Sequence, residues 1–260
     1  MIDYNAIESW PVWENFETIN LEDMGKVKLM NRIDTKFLVP ASMLPELLAR
    51  SQRDYCVQVI GDKRVASYDS LYFDTADLEM YTKHQDKKLQ RNKVRTRSYV
   101  ESGIAFLEIK HKNNKGRTKK KRVQIPVADF ENFFSNVDAV GFLKTQVKYD
   151  PQELLPQLHT IFRRITLVDK EKTERLTIDM DLRFVNVQTG NRAELGPLLI
   201  IELKQDGMVQ SKMRNILLDM HIHPFSMSKY CIGTVMTNPN AKHNRFKKKI
   251  QRINKLTNPI

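Results

Sequence analysis

Short runs that alternate charged and apolar residues with a period of two constrain this chain more than any other feature. Reading every second residue gives Arg32, Asp34, Lys36; then Arg91, Lys93, Arg95, Arg97; Glu108, Lys110; Lys120, Arg122; Arg175, Thr177, Asp179, Asp181, Arg183; and Glu202, Lys204. Most intervening positions are apolar, as at Leu107 and Ile109, Val123 and Ile125, Leu176, Ile178, Met180 and Leu182, and Ile201 and Leu203. Successive strand side chains leave opposite faces of a sheet, so each run predicts a strand with one ionic and one apolar side. Periodicity alone also fits an ordinary solvent-facing sheet. The choice of residue argues otherwise, because solvent faces usually mix Thr, Ser, Lys and Gln, whereas here Arg, Lys, Asp and Glu recur in step. A sheet closing with these faces inward makes a tunnel lined by cations and a few carboxylates. Such a tunnel suits a polyanion held with a metal ion.

The bulk numbers bound the partners. The 260 residues carry a net charge of +12 and a pI near 9.6, which calls for an anionic partner: nucleic acid, an acidic membrane surface or phosphate compounds. With 41% hydrophobic and 28% charged residues, the chain is globular rather than disordered. Cys56 and Cys231 show no metal-ligand spacing, and a reducing compartment accounts for them. Residues 1–14 lack the basic start and apolar core of a signal peptide, and no run approaches the ~18 apolar residues of a membrane span. The expectation is a cytoplasmic protein, with association at the inner face of a membrane left open.

Three regions are expected: a lead-in over 1–30 with a short helix around Leu21–Leu29, a barrel domain over 31–236, and a basic tail over 237–260. Within the barrel domain the pattern predicts strands at Arg32–Val39, Tyr68–Asp74, Lys93–Val100, Ile104–Lys112, Thr118–Pro126, Ile165–Asp169, Arg175–Val187 and Leu198–Lys204. Helices are predicted at Ser42–Ser51, Ala128–Asn136, Gln152–Arg163 and Ser211–Met220, with a last strand or turn around Ser228–Thr234. The class is α+β: an antiparallel eight-stranded barrel with flanking helices. In the tail, Phe246, Ile250 and Ile253 share one helix face under six basic residues, so it can meet an acidic membrane, dock on a partner or pack on its own barrel.

The chain has no Gly-x-x-x-x-Gly-Lys loop, no Gly-x-Gly-x-x-Gly after a strand and no His-Glu-x-x-His. Phosphates, if bound, must be held by side chains, for which the planar fork of arginine is suited. His221 and His223 form a His-x-His pair without further ligands nearby. The charged strand faces hold almost no aromatic residues, which speaks against a nucleic-acid module.

In order along the chain stand Arg-Ile-Asp-Thr-Lys-Phe (32–37), Leu-Tyr-Phe-Asp-Thr (71–75), Lys-Val-Arg-Thr-Arg-Ser-Tyr (93–99), Leu-Glu-Ile-Lys (107–110), Lys-Lys-Arg (120–122), Arg-Leu-Thr-Ile-Asp (175–179), Ile-Glu-Leu-Lys (201–204) and Ser-Lys-Tyr (228–230). This series resembles the VTC domain, the polyphosphate polymerase domain of the vacuolar transporter chaperone complex and its bacterial relatives. That domain belongs to the triphosphate tunnel metalloenzymes, alongside the CYTH phosphatases. The resemblance implies an antiparallel tunnel that binds the triphosphate of ATP with Mn2+ or Mg2+ and moves the γ-phosphoryl group onto polyphosphate or pyrophosphate. It implies phosphate ligands at Lys36, Arg95, Arg97, Lys110, Lys120 and Lys229, with Arg122 as a further candidate, Ser228 beside the last lysine, and the metal on Glu202. The family's basic or aromatic cluster on a helix falls at His159, Phe162, Arg163 and Arg164. Arg32, Arg175 and Lys204, on the same ionic faces, are additional substrate-binding candidates. Glu108 and Asp179 rank second for metal; a salt bridge within the tunnel is the other role for Glu108, and pairing with Arg175 or Arg183 for Asp179.

One departure separates the chain from the tunnel phosphatases, many of which open Glu-x-Glu-x-Lys where this chain has Arg32-x-Asp34-x-Lys36. The exchange removes a carboxylate and adds a cation. A metal-dependent tripolyphosphatase or nucleoside triphosphatase, and a non-enzymatic polyphosphate or inositol-phosphate sensor, remain alternatives to the polymerase. A membrane protein partner is a further implication of the family's larger assemblies.

Overall fold

The alternating runs all become strands of one sheet. The computed structural model describes residues 2–25, 32–207 and 210–257; the Arg32 side chain and the second half of the helix expected at Leu21–Leu29 lie outside the described residues. Eleven strands form the sheet: β1 (Glu17–Ile19), β2 (Arg32–Pro40), β3 (Tyr55–Gln58), β4 (Ala66–Asp74), β5 (Arg91–Tyr99), β6 (Ile104–Lys112), β7 (Thr118–Ile125), β8 (Leu155–Asp169), β9 (Glu174–Asn186), β10 (Arg192–Glu194) and β11 (Leu198–Asp206). Eight of them run in the order β2-β11-β9-β8-β4-β5-β6-β7, and every pairing along that path is antiparallel.

The eight strands do not complete a hydrogen-bonded circle: among the described residues no ladder joins β7 to β2. Part of the outer edge of β2 is taken by other chain instead, with a bridge between Phe37 and Pro224 and a 2.6 Å hydrogen bond from the Phe225 amide to the Lys36 carbonyl. An edge already paired to residues 224–225 has fewer backbone groups to offer β7.

Among the described residues seven α-helices flank the sheet: α1 (Leu21–Gly25), α2 (Leu44–Ser51), α3 (Glu79–Gln85), α4 (Val137–Gln146), α5 (Lys212–Asp219), α6 (Lys229–Thr237) and α7 (Lys247–Thr257). One apolar cluster joins Leu176, Ile178, Leu199, Ile201 and Leu203 to Leu44, Leu47 and Leu48 of α2, Met213 and Leu217 of α5, and Ile7, Trp13 and Phe16 of the lead-in. A second joins Leu71, Val94, Leu107 and Ile109 to Ala139 and Leu143 of α4. These residues alternate with the charged ones, so the ionic faces lie on the opposite side of the sheet. The exception begins at Asp181 of β9, whose φ of 51° flips the alternation: Leu182 and Phe184 join the ionic side. Asp181 itself pairs with Arg163, which reaches the Tyr4 carbonyl of the lead-in. The ionic side is partly filled by α6, whose Tyr230, Cys231 and Ile232 pack against Tyr72, Leu158, Phe162 and Phe184. The fit depends on Gly233, where a Cβ would lie 2.5 Å from the Phe184 ring and 2.7 Å from Leu158. Ile253 of α7, and Phe246 in the 3-10 turn that leads into it, are buried on the same cluster, so the apolar side of the tail helix faces its own sheet.

Three sequence expectations are corrected. The helix expected at Gln152–Arg163 is only the 3-10 turn Pro151–Glu153; β8 then runs from Leu155 to Asp169, because Pro156 would cost a helix a hydrogen bond and Thr160, Ile161 and Phe162 suit a strand. Ala128–Asn136 forms only the 3-10 turns Val127–Asp129 and Phe133–Ser135, and the helix begins after Asn136, whose side chain caps the Ala139 amide at 3.0 Å. Ser228–Thr234 is a helix start rather than a strand, with Ser228 Oγ accepting from the Cys231 amide.

Candidate functional site: a cation-lined inner face

Three acids organise the inner face, each held by two cations. On the meander β5-β6-β7, register places Arg95 opposite Glu108 and Glu108 opposite Arg122. Glu108 is 0% exposed, accepts from Arg95 through Nε at 2.9 Å and Nη2 at 2.6 Å, and also pairs with Lys120. Arg95 spends its remaining Nη1 on the Tyr72 hydroxyl at 2.8 Å, and Arg97 Nε donates to Ser70 Oγ at 2.9 Å. Burial alone would raise the Glu108 carboxyl; Arg95, Arg97 and Lys120 override it and hold it well below the usual carboxylate range. Burial pushes the Lys120 ammonium down to about 8, against the pull of Glu108. Arg122 stacks over Phe106 at 4.2 Å from the ring centroid.

The second acid is Asp179 of β9. A register shift between β8 and β9 brings Arg164 opposite it, and Arg164 grips it in fork geometry, Nε at 2.5 Å and Nη2 at 2.9 Å. Lys229, the first residue of α6, pairs with the same carboxylate and stands 3.6 Å from the centroid of the Phe162 ring. Asp179 thus meets Arg164 and Lys229 rather than Arg175 or Arg183; the latter pairs with Asp181. Arg175 lies opposite Lys204 in the β9–β11 register. Burial lowers the Lys229 ammonium to about 7, with Asp179 opposing and Arg164 and Arg97 adding to the shift.

The third acid is Glu202 of β11, 2.6 Å from Lys204 and 3.5 Å from Lys36 on neighbouring β2. Burial favours its neutral form, but Lys204 and Lys36 keep it well below its ordinary value. Lys110 of β6 is pushed down by burial first and then by Arg95, while Glu202 opposes; Lys36 adds to the shift. β5 and β2 lie far apart in strand order, yet Lys93 and Lys36 reach adjacent residues, Ser228 Oγ at 2.8 Å and the Met227 carbonyl at 3.4 Å, so the sheet is curled enough for its two ends to approach one another. Lys93 completes the lining by donating to Ser228 Oγ at 2.8 Å.

The structure therefore brings Lys36, Arg95, Arg97, Lys110, Lys120, Arg164, Lys204, Lys229, Ser228, Glu108, Asp179 and Glu202 onto one face. The cluster at His159–Arg164 sits on a strand, not a helix, and His159 points to Asp69 at 3.2 Å rather than to this face's acids. Tyr72, Ser70 and Lys93 build the site without having been singled out from the sequence, whereas Phe162 stands in the basic or aromatic cluster named there. Lys93 is legible, being in step with Arg95 and Arg97; Tyr72 reads as a core filler, and Ser70 lies in a strand without a charged alternation. Among the described residues no three His, Cys, Asp or Glu side chains form a ready-made metal cluster.

A curled antiparallel sheet with this lining has the triphosphate-tunnel, CYTH-like fold. The Hippeastrum protein HpAC1, described as having a dominant triphosphatase activity, shares that fold at 16% identity, with a TM-score of 0.50 over 79% of this chain and 96% of that one. A Bacillus halodurans protein, bh2851, matches at 15% identity and a TM-score of 0.48 over 76% and 94% of the two chains. No curated protein sequence matches. Residues 31–238 match the VTC domain, and the chain belongs to that family.

Proposed function

We propose that this protein is an ATP-dependent polyphosphate polymerase. The bond from the γ-phosphorus to the β,γ-bridging oxygen breaks, a terminal oxygen of polyphosphate or pyrophosphate forms the new bond, and ADP leaves. Positioning and charge neutralisation supply most of the rate in phosphoryl transfer, and the inner face offers both. Lys36, Arg95, Arg97, Lys110, Lys120 and Lys229 would bind and orient the phosphates, supported by Arg164, Lys204 and Arg122. Basic residues outnumber the acids they meet, so an incoming triphosphate finds cations already ordered.

The observation that carries this reading is the double pairing of each acid. Glu108, Asp179 and Glu202 are each held by two cations and kept far below the range in which a carboxylate takes up a proton. They are weak bases. A phosphate acceptor is already ionised and needs no base, whereas water does. A triphosphatase, the activity described for the Hippeastrum protein, is the second reading; the shared fold favours it, and the weak bases disfavour it.

The donor set fits a hard divalent cation only if phosphate oxygens provide most of its ligands. Glu202 would hold it, with Glu108 and Asp179 as second-rank candidates, and Mg2+ or Mn2+ would neutralise charge on the transferring group. Incubation of purified protein with ATP and either metal tests the proposal. A polymer ladder on a polyphosphate-stained gel with matching ADP is expected; free phosphate without polymer would move the protein to the hydrolases.

A further inference from the structure

Three lysines from three separate elements converge on three consecutive residues at one end of the inner face. Lys249 of α7 donates to the Ser226 carbonyl, Lys36 of β2 lies 3.4 Å from the Met227 carbonyl oxygen, and Lys93 of β5 reaches Ser228 Oγ at 2.8 Å. Among the described residues neither Lys93 nor Lys249 forms an ion pair, and Lys36 has Glu202 alone, at 3.5 Å. Arg91 and His84 share this field. Burial depresses the His84 imidazole, and Lys93, Arg91, Lys249 and Lys36 push it the same way, so it adds no charge. Its Nδ1 is buried with no hydrogen-bond partner.

Partly buried ammonium groups that meet only carbonyl and hydroxyl dipoles are under-compensated, and a multivalent anion relieves them. Lys36 belongs both to this cluster and to the inner face, so the two are contiguous. Lys249, by contrast, lies beyond residue 238, where the family match ends. It is presented by a helix anchored through buried Phe246 and Ile253, so its position is fixed by packing rather than by a loop.

We infer that Lys249 and Lys93, together with Lys36, form an outer anion subsite that takes phosphates of a polyphosphate chain beyond the triphosphate. The inference rests on reading the inner face as a triphosphate site. The subsite makes affinity depend on chain length, and it makes α7 part of substrate recognition.

Calorimetric titration of the full chain with tripolyphosphate and with a polyphosphate several times longer tests this, using wild type, Lys249→Ala and Lys249→Arg. Lys249→Ala should weaken the longer chain about tenfold, the scale of one charge-assisted contact, and leave tripolyphosphate unchanged. Lys249→Arg should restore the longer chain. Equal weakening of both probes, or an unchanged long chain beside normal tripolyphosphate binding, overturns the subsite alone. Wild type that binds neither probe refutes the triphosphate site and the subsite with it.

Discussion

The Glu108 and Asp179 clusters use the same chemistry but are built in different ways. Glu108, Arg95 and Lys120 come from the consecutive strands β5, β6 and β7, so two tight turns are enough to assemble them. Asp179, Arg164 and Lys229 come from β8, β9 and α6, and Lys229 must return across fifty residues of sequence to reach its acid. The first cluster is a property of a meander; the second is a property of the whole fold. Local assembly, and the complete burial of Glu108 with its Arg95 fork, make the Glu108 cluster part of the structural framework. Long-range assembly at a helix N-terminus makes the Asp179 cluster adjustable.

Breaking each cluster should separate these roles. Glu108→Ala leaves the Arg95 guanidinium buried without its acid, a defect costing on the order of 3–5 kcal/mol, so a large drop in the thermal or denaturant midpoint is expected. Lys229→Ala leaves Asp179 still gripped by Arg164, so the far-UV spectrum and midpoint should hold while turnover falls by about 10²–10³, the scale of losing one group that stabilises transferring charge. Equal destabilisation by both would abolish the distinction.

A smaller effect sharpens it. Gly233→Ala forces a Cβ against Phe184 and Leu158 under α6, a clash on the order of 1–3 kcal/mol. The helix shift should reduce turnover through Lys229, and urea titration should show a modest loss of stability. Normal kinetics in this variant would mean that α6 does not position Lys229.

The smallest effect is in protons. With Lys229 near 7 and Lys120 near 8 in the free protein, both lose charge as pH rises through that window. A bound triphosphate favours their charged forms, so binding takes up protons and affinity falls from pH 7 to 9. Titrations in buffers of different ionisation enthalpy at pH 8 should show net uptake. The Lys229→Ala variant should show less of it.

How much could be read from the sequence follows the same division. Strict alternation placed Lys36, Arg95, Arg97, Glu108, Lys110, Lys120 and Glu202 on one face, because a period of two survives without knowing which strands pair. Arg164 stands just past the helix expected over Gln152–Arg163, in the cluster that the resemblance sets on a helix, and its partner Asp179 is expected to pair with Arg175 or Arg183 or to rank second for metal. Sequence spacing cannot show the register shift between β8 and β9 that brings Arg164 opposite Asp179. Ile232 and Thr234 suit a strand, so the start of α6 reads as a strand or turn from sequence, although Ser228 is a fitting N-cap. The open junction between β2 and β7 is likewise a matter of which backbone edge is already occupied, and side-chain pattern carries no record of that.

That junction leaves β7 with an unpaired edge, and its residues Thr118–Gln124 are almost wholly solvent-facing. An exposed strand edge invites a second chain to add to the sheet, and lysines are a common deterrent. Lys119, Lys120, Lys121 and Arg122 follow one another there, so the strand that carries proposed phosphate ligands also bears the charge that deters strand addition. Neutralising this run to probe substrate binding would remove that deterrent too, and oligomers would accompany the loss of affinity.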